Sequence, residues 1–160
     1  MAVDMFLKID DVKGEAQDKV HKDEMDVLAW SWGMSQSGTT HVGAGSGAGK
    51  ASFQDLSITK FVDKASTKLA MACANGKHYK EANLVVRKAG ETPLEYIKLK
   101  MEDVIVTSIS LGGSGGEDRL TENVSLNFGA FSYEYVPQKK EGGGDTPVPF
   151  GWDIAANEKK

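Results

Sequence analysis

The stretch Gly112–Phe128 reads GGSGGEDRLTENVSLNF and joins a glycine-rich turn to an alternating segment. Glycine and serine come first, and the charged residues Glu117, Asp118 and Arg119 follow. Apolar and polar residues then alternate: Leu120, Val124, Leu126 and Phe128 share one side, and Thr121, Asn123, Ser125 and Asn127 share the other. Period-two alternation is typical of a strand with one buried face and one wet face. The stretch therefore predicts a turn that leads into a strand covering a core.

The length and composition favour a single domain over residues 1–160 that can bury a core without disulfides. No apolar run is long enough to predict a membrane-spanning helix. The N-terminal MAVDMFLKIDD alternates and carries an early acidic residue, so we interpret it as a strand and not a signal peptide. The net charge of −4, with both signs mixed along the chain, argues against nucleic-acid binding. The single cysteine excludes an internal disulfide and a cysteine-based metal site. These features predict a soluble protein made in the cytosol.

The rest of the chain is dominated by short alternating segments. Glu102-Asp103 indicates a turn or bulge between two strands, and a change of phase at Gly129, after which Phe131, Tyr133 and Tyr135 take over, indicates a β-bulge. One helix is expected, capped by Ser66 and ended by Asn75-Gly76. The predicted strands are 2–9, 26–34, 52–60, 83–88, 94–101, 104–111 and the segment after Leu120. The pattern predicts a mainly β fold, an antiparallel sandwich or barrel with one α-helix.

The predicted strand 26–34 has two unlike faces. Its large side chains must supply core, because tryptophans bury a great deal of apolar area; they are Leu28, Trp30, Trp32 and Met34. The opposite face is small and carries no Lys, Glu or Arg; it includes Ala29, Ser31 and Gly33. A solvent-exposed strand explains this small face about as well as a wall against which something passes or packs.

The segment 37–50, SGTTHVGAGSGAGK, predicts a flexible, protruding loop. It resembles a phosphate-binding loop only superficially, because Ala44 and Ala51 stand where the Walker pattern needs glycine and a hydroxyl residue. A strand also follows where a helix N-terminus is required, which excludes a dinucleotide fingerprint as well. We therefore expect no nucleotide and no other cofactor.

Catalytic and metal-binding patterns are also weak. The three histidines, His21, His41 and His78, fall in separate polar stretches without metal-ligand spacing, so we expect surface histidines, and 11–22 is expected to be a surface loop. Cys73 is expected to be a small core residue. Adjacent carboxylates on a strand point in opposite directions, so Glu117 and Asp118 do not form a catalytic pair. With Arg119 they predict an ion-pair cluster at a turn, within the chain or across a subunit boundary.

Five segments together resemble one family in order along nearly the whole chain. They are MAVDMFLKIDDVKGE, VLAWSWGMSQSG, ITKFVDKASTKLAMACANGKHY, GGSGGEDRLTENVSLNF and FGWDI. The family is that of the haemolysin-coregulated protein (Hcp), the tube subunit of bacterial type VI secretion. The main departures are the loop at 39–49 and the tail after Ile154.

The resemblance implies a small two-sheet β-barrel with a helix on its flank and no catalytic activity. It implies that six copies close into a hexameric ring and that rings stack into a tube inside a contractile sheath. The sheath would drive the tube, tipped by the VgrG spike protein, out of the bacterial cytoplasm without a signal peptide. The resemblance also implies secreted effectors in the lumen, and neither nucleic-acid binding nor membrane insertion. The residues alone leave an alternative hypothesis of function, a monomeric barrel that holds a ligand with the glycine loop. An enzyme is the third hypothesis.

A ring requires one surface of each subunit to meet a different surface of the next. We expect the loop 37–50, the turn 88–92 and the tail 155–160 to make ring–ring or subunit contacts. Ser31, opposite the tryptophans, and Ser114, in the glycine turn, are expected to face the lumen. The predicted contact residues are Thr39, Thr40, His41, Val42, Lys50, Lys88, Gly90, Glu91, Glu117, Asp118, Arg119, Ala155 and Asn157.

Overall fold

The computed structural model describes residues 3–38 and 49–160 and contains, within them, ten strands and one helix. Most of the predicted loop 37–50, including Thr39, Thr40, His41 and Val42, lies outside the described residues. The elements are β1 (Val3–Ile9), β2 (Met25–Ser31), β3 (Met34–Ser35), β4 (Ser52–Phe53), β5 (Leu56–Phe61), α1 (Ser66–Asn75), β6 (His78–Lys88), β7 (Leu94–Leu111), β8 (Thr121–Tyr135), β9 (Val148–Asp153) and β10 (Glu158–Lys159).

Six of the strands close into an antiparallel barrel. The order around it is β1, β6, β7, β8, β5 and β2, and β2 pairs with β1 again. Strands β9 and β10 continue from β8, while β3 and β4 form a separate two-stranded sheet. The helix connects β5 to β6 and packs on β7. The predicted mainly β barrel with one helix is confirmed.

Strand β8 organises the barrel because it has two partners on one edge. Strand β7 pairs along its whole length, while the other edge pairs first with β5, up to Leu126, and from Ala130 onward with β9. Val124, Leu126 and Phe128 are buried, as the alternation predicts. Leu120 is exposed instead, because it precedes the strand, and the next inward position of the strand holds Glu122.

The bulge predicted at Gly129 is wrong, because the register between β7 and β8 is unbroken there. Gly129 marks the point where β8 changes partner, and its carbonyl oxygen accepts hydrogen bonds from the backbone N–H of Ile154 and Ala155. The predicted turn or bulge at Glu102-Asp103 is wrong as well. Strand β7 runs through this pair without a register shift, although the φ of Asp103 is 55°.

A real register shift lies in β2, between Val27 and Ala29. An extra residue in a strand reverses which later residues face the core. Before the shift Val27 is buried; after it Trp30 and Trp32 pack against the core. The prediction that all four large side chains supply core is therefore wrong for Leu28, which the shift leaves exposed. It is also wrong for Met34, which lies beyond the end of β2 in the short strand β3.

Helix α1 begins and ends where the sequence predicts, although its start differs in detail. Leu69 and Ala72 are buried on its inner face, and Gly76 ends it in the left-handed conformation at φ 69°. Ser66 is the first helical residue and not the cap. Its hydroxyl accepts a hydrogen bond from the backbone N–H of Asp63, 3.0 Å away, and donates one to Glu122.

A buried ion cluster joins the start of this helix to β5 and β8. The ammonium of Lys60 lies 2.6 Å from a carboxylate oxygen of Glu122 and 2.9 Å from one of Asp63. The side chains of Lys60 and Glu122 are fully buried. Ser66 donates to the same Glu122 oxygen over 2.7 Å. A buried charge is tolerated only when it is paired, so these contacts fix how β5, β8 and α1 meet.

Replacing Lys60 with methionine should lower the free energy of unfolding by about 3–5 kcal/mol, because Glu122 and Asp63 are left buried without their cation. Adding Glu122→Leu should recover part of the loss. Chemical denaturation followed by circular dichroism measures both effects, with Lys64→Met, a change at an exposed lysine, as the control. A free energy of unfolding of Lys60→Met within about 0.5 kcal/mol of the wild-type value would contradict this role of the ion cluster.

The segment between β1 and β2 is a loop with mostly exposed residues, as predicted, but some of its side chains pack against the barrel. Val12 and Ala16 are buried, and so is His21, which was expected at the surface. The His21 ring stacks on Phe6 with centroids 4.4 Å apart. Its Nδ1 lies 2.9 Å from Glu24 and its Nε2 lies 2.6 Å from Glu95. His78, in contrast, is exposed as predicted.

A second charged contact anchors the same segment to β6. The guanidinium of Arg87 donates to both carboxylate oxygens of Asp18, over 3.0 and 2.7 Å, and to Asp4 over 3.0 Å. This hydrogen bonding by Arg87 holds the pKa of Asp18 well below its ordinary value, and the contact raises the pKa of Arg87. The ionised pair therefore favours the folded chain.

The contribution of Asp18 to the stability of the fold should decrease as the pH falls. A carboxyl group whose pKa is lowered by folding stabilises the fold at pH values above its ordinary pKa, here 3.8. This stabilisation is lost as the pH falls toward the lowered pKa. Asp18→Asn should therefore be less stable than the wild type at neutral pH, and the two should converge below pH 3.8. Thermal unfolding across a pH series measures this; a difference independent of pH would contradict it.

Candidate functional site

The outer face of four neighbouring strands carries two rows of small side chains without a single charge. The strands lie in the order β2, β5, β8 and β7, and their registers bring the residues of each row side by side. The first row is Ala29, Thr59, Asn123 and Ser110; the second is Ser31, Ser57, Ser125 and Ser108. Six of the eight residues are exposed and two are half-buried. We call these eight residues the uncharged face.

Hydrogen bonds between strands order this face. The Thr59 hydroxyl donates to the side-chain oxygen of Asn123 over 2.7 Å, and the hydroxyls of Ser57 and Ser125 are 3.5 Å apart. Beside the second row, Asp55 accepts from the hydroxyl of Thr107 over 2.6 Å. The face thus offers hydroxyl and amide groups, with a carboxylate only at its margin.

Both outer strands of this face continue past the point where their pairing with the neighbouring barrel strand ends. Strand β1 pairs with β2 only at Met25 and Asp26, and strand β6 pairs with β7 only as far as Ile105. Within residues 3–38 and 49–160, no strand pairs with the outer edge of 27–31 or with that of 106–111. Exposed edges of monomeric proteins usually carry lysine or proline, which block pairing with another chain. These two edges carry neither.

The glycine turn lies beside the uncharged face. A hollow of about 340 Å³ is lined by Ser110 and Asn123 from the face and by Ser114 and Glu117 from the turn. The structure therefore brings Ser114 to the same side of the barrel as Ser31, the other residue expected in a lumen. That both face a lumen stays a prediction.

The ion-pair cluster predicted at Glu117, Asp118 and Arg119 does not form within the described part of the chain. All three residues are exposed. Arg119 instead lies with its guanidinium 3.7 Å from the centre of the Phe61 ring, a cation–π contact. The two carboxylates remain available to another molecule, so the alternative of contacts across a subunit boundary stays a prediction.

The turn 88–92 forms one wall of a hollow of about 510 Å³, opposite the loop that contains Gln138 and Gly143. The Lys88 ammonium donates to the side-chain oxygen of Gln138 over 3.4 Å and lies 4.9 Å from the Tyr96 ring centre. Gly90 and Glu91 are exposed at this turn, and Lys50 is exposed at the far end of the glycine loop. Their role in contacts stays a prediction.

The C-terminal tail folds back onto the barrel. The backbone N–H of Ala155 donates to Gly129 over 3.3 Å, Asn157 turns the chain with φ 56°, and β10 pairs with β9. The last residue, Lys160, forms an ion pair with Glu102. Ala155 and Asn157 are exposed, so both can contact another copy, as predicted but not tested.

Within residues 3–38 and 49–160, no group of three His, Cys, Asp or Glu side chains is placed to hold a metal ion. In the same part of the chain, no helix has the length and apolar character needed to cross a membrane.

Comparison with known proteins identifies the family. The sequence model described as "Type VI secretion system effector, Hcp" matches residues 6–135. The chain belongs to the Hcp family of type VI secretion proteins. Protein hcp1 of Pseudomonas aeruginosa is 59% identical over 159 residues, which cover 98% of each chain. The resemblance seen in the sequence is confirmed.

Solved structures agree with this assignment. A type six secretion system protein superposes with a TM-score of 0.94 at 33% identity, covering 99% of this chain and 100% of that one. Hcp1 from Salmonella typhimurium superposes with a TM-score of 0.80 at 37% identity, covering all of both chains. The chain is therefore a member of a family of secreted, structural proteins of type VI secretion.

Proposed function

We propose that this protein is the tube subunit of a type VI secretion system, and that six copies close into a ring through the free edges of β2 and β7. One observation carries the proposal: two unprotected strand edges lie on opposite sides of one uncharged face. Pairing the β2 edge of each copy with the β7 edge of the next is a heterologous contact, and such contacts generate rings when the rotation closes.

Closure satisfies the backbone groups that the single chain leaves unpaired. The N–H and C=O groups along 27–31 and 106–111 that point away from β5 and β8 would gain partners from the neighbouring copy. A closed sheet has no edges left, which explains why neither strand carries lysine or proline as protection. The ring therefore completes the hydrogen bonding that the barrel begins.

The uncharged face would then line the bore of the ring. With the rows of all copies side by side, the wall consists of hydroxyl, amide and methyl groups and contains no charge that would hold a passing protein strongly. Secreted effectors can be carried against such a wall by hydrogen bonds, with Ser31 in one row and Ser114 at the margin. This arrangement favours passage and reversible retention over tight binding.

The loop 37–50, the turn 88–92 and the tail 155–160 would make ring–ring or subunit contacts. The stacked rings form a tube inside a contractile sheath, and the VgrG spike protein caps it. The protein would be made in the bacterial cytoplasm and secreted with the tube, and it would act without catalysis.

The purified protein should have a solution mass near six times the 17.2 kDa of the chain, because a complete ring of six leaves neither the β2 edge nor the β7 edge unpaired. Light scattering coupled to size exclusion, over a dilution series, measures this mass. A species that stays at 17.2 kDa at micromolar concentration would contradict the proposal. It would promote the alternative function, a monomeric barrel that binds a ligand.

A further inference from the structure

His21 is a buried titratable side chain that the proposed ring does not use. Only 6% of the residue is exposed, and its ring stacks on Phe6 of β1 with centroids 4.4 Å apart. Both ring nitrogens face carboxylates, Nδ1 at 2.9 Å from Glu24 and Nε2 at 2.6 Å from Glu95. Glu24 belongs to the same segment as His21, residues 10–24, which joins β1 to β2, whereas Glu95 belongs to β7. The ring therefore ties this segment to a strand far along the chain.

The two contacts of the His21 ring require two protons on it. A neutral imidazole has one N–H donor, and its other nitrogen is an acceptor. A carboxylate oxygen only accepts, so a neutral ring would leave one bare nitrogen against an oxygen 2.6 or 2.9 Å away. Only the imidazolium donates to both Glu24 and Glu95, and hydrogen bonds of charged groups are about twice as strong as neutral ones. The geometry thus fits one charge state of His21.

The charged groups on β6 and β1 do not replace the second proton. On β6, the guanidinium of Arg87 lies 5.1 Å from the centre of the Phe6 ring. Its two terminal nitrogens donate to Asp18 and Asp4, so its charge is already paired. Asp18 also accepts from the backbone N–H of His21 over 3.2 Å, which adds a further negative charge on this side of the ring.

Strand β7 brings one lysine to the same contact. The Lys98 ammonium lies 3.9 Å from the Glu95 oxygen that His21 does not use, and its side chain is 47% exposed. An exposed lysine pairs only weakly with a carboxylate. A neutral His21 ring would therefore lie between two carboxylates without a buried cation to offset them.

We propose that His21 is a pH-sensitive latch, which holds the segment 10–24 on the barrel while its ring carries two protons and releases the segment when one is lost. Because the closed form binds this second proton, a rise in pH favours the open form. The segment ends at Glu24, so the part of the chain that is released leads directly into β2. The latch belongs to the single chain and does not rest on the proposed ring.

Backbone hydrogen bonds inside the segment report its release. Three N–H groups donate across it over 2.8–2.9 Å, those of Gly14, Ala16 and Asp23. A two-stranded arrangement without further support is marginally stable at best in water. These amides should therefore exchange with solvent much faster once the segment leaves the barrel.

The test follows two kinds of hydrogen exchange by mass spectrometry on the full chain, from about pH 5 to about pH 9, which spans the range where histidine ordinarily changes charge. Exchange of the hydrogen on ring carbon Cε1 gives the pH at which His21 loses a proton. Amide exchange, corrected for the pH dependence of free amides, gives the protection of Gly14, Ala16 and Asp23. This protection should fall about tenfold or more at the pH where the ring loses its proton, the effect of one hydrogen bond to a charged group.

Glu95→Gln separates a latch from a merely structural contact. The new amide can donate to a ring nitrogen that has lost its proton, so the protection of the segment should no longer fall at that pH. Glu24→Gln makes the same change at the other nitrogen and serves if Glu95→Gln disturbs the fold, which circular dichroism verifies. His78→Gln is the matched control, because His78 is an exposed histidine 2.9 Å from the Asp103 carboxylate, and it should behave like the wild type.

Three results would overturn the proposal. The first is a His21 ring that keeps the same number of protons over the whole pH series. The second is amide protection that stays constant when the ring loses its proton. The third is a loss of protection in Glu95→Gln and Glu24→Gln at the same pH as in the wild type, because the loss would then not come from the carboxylates beside His21.

Discussion

Unpaired backbone groups along two strand edges are the constraint on which the proposed assembly depends. The pairing of β2 with β1 and of β7 with β6 ends early, so the barrel closes at one level and leaves an open four-stranded face at another. A sheet edge without lysine, proline or a covering segment pairs readily with another chain. The two edges flank a face without charge, and in the proposed ring the contact that satisfies them would also build a continuous polar wall. Fold and proposed assembly would then be two parts of one hydrogen-bonding arrangement.

The buried ion cluster fixes the register between strands. It consists of Lys60, Glu122, Asp63 and Ser66. Paired buried charges contribute little net stability but penalise other arrangements strongly, because a shifted partner would leave a charge alone in the core. Lys60 belongs to β5 and Glu122 to β8, and the two are directly opposed in the ladder. A slip of one residue between these strands would separate them and would also break up the rows of the uncharged face on the other side. The pair inside the barrel therefore keeps the outer face in register.

Part of this fold follows from period-two alternation, which correctly predicts that Val124, Leu126 and Phe128 form the buried face of β8. The same alternation could also have pointed to the ion cluster. Lys60 and Glu122 occupy inward-facing positions of their strands, two residues from Ile58 and Val124. The shift at Leu28 could not be predicted, because whether an extra residue is accommodated depends on the partner strand. The packing of His21 on Phe6 likewise depends on contacts between distant segments.

The free edges of β2 and β7 could not be predicted from the sequence either, because they too depend on how distant segments pair. The residues of β2 and β7 show that the strands exist, but not where β1 and β6 stop covering them. The small side chains around Ser31 indicated a surface that is not core, and only the registers reveal that eight such residues from four strands form one face. The identity of the family, in contrast, was evident from the order of five segments along nearly the whole chain.

We propose that copies of this chain join by pairing the β2 edge of one with the β7 edge of the next. Hydrogen exchange of backbone amides tests this pairing most directly, because an amide exchanges slowly only when its N–H is protected. Amides within 27–31 and 106–111 that face the outer edges should exchange fast in diluted single chains and become protected in the assembled protein. Exposed amides of the turn 112–116 serve as an internal reference that stays fast. Assembled rings in which both edges exchange as fast as this reference would contradict the proposed pairing.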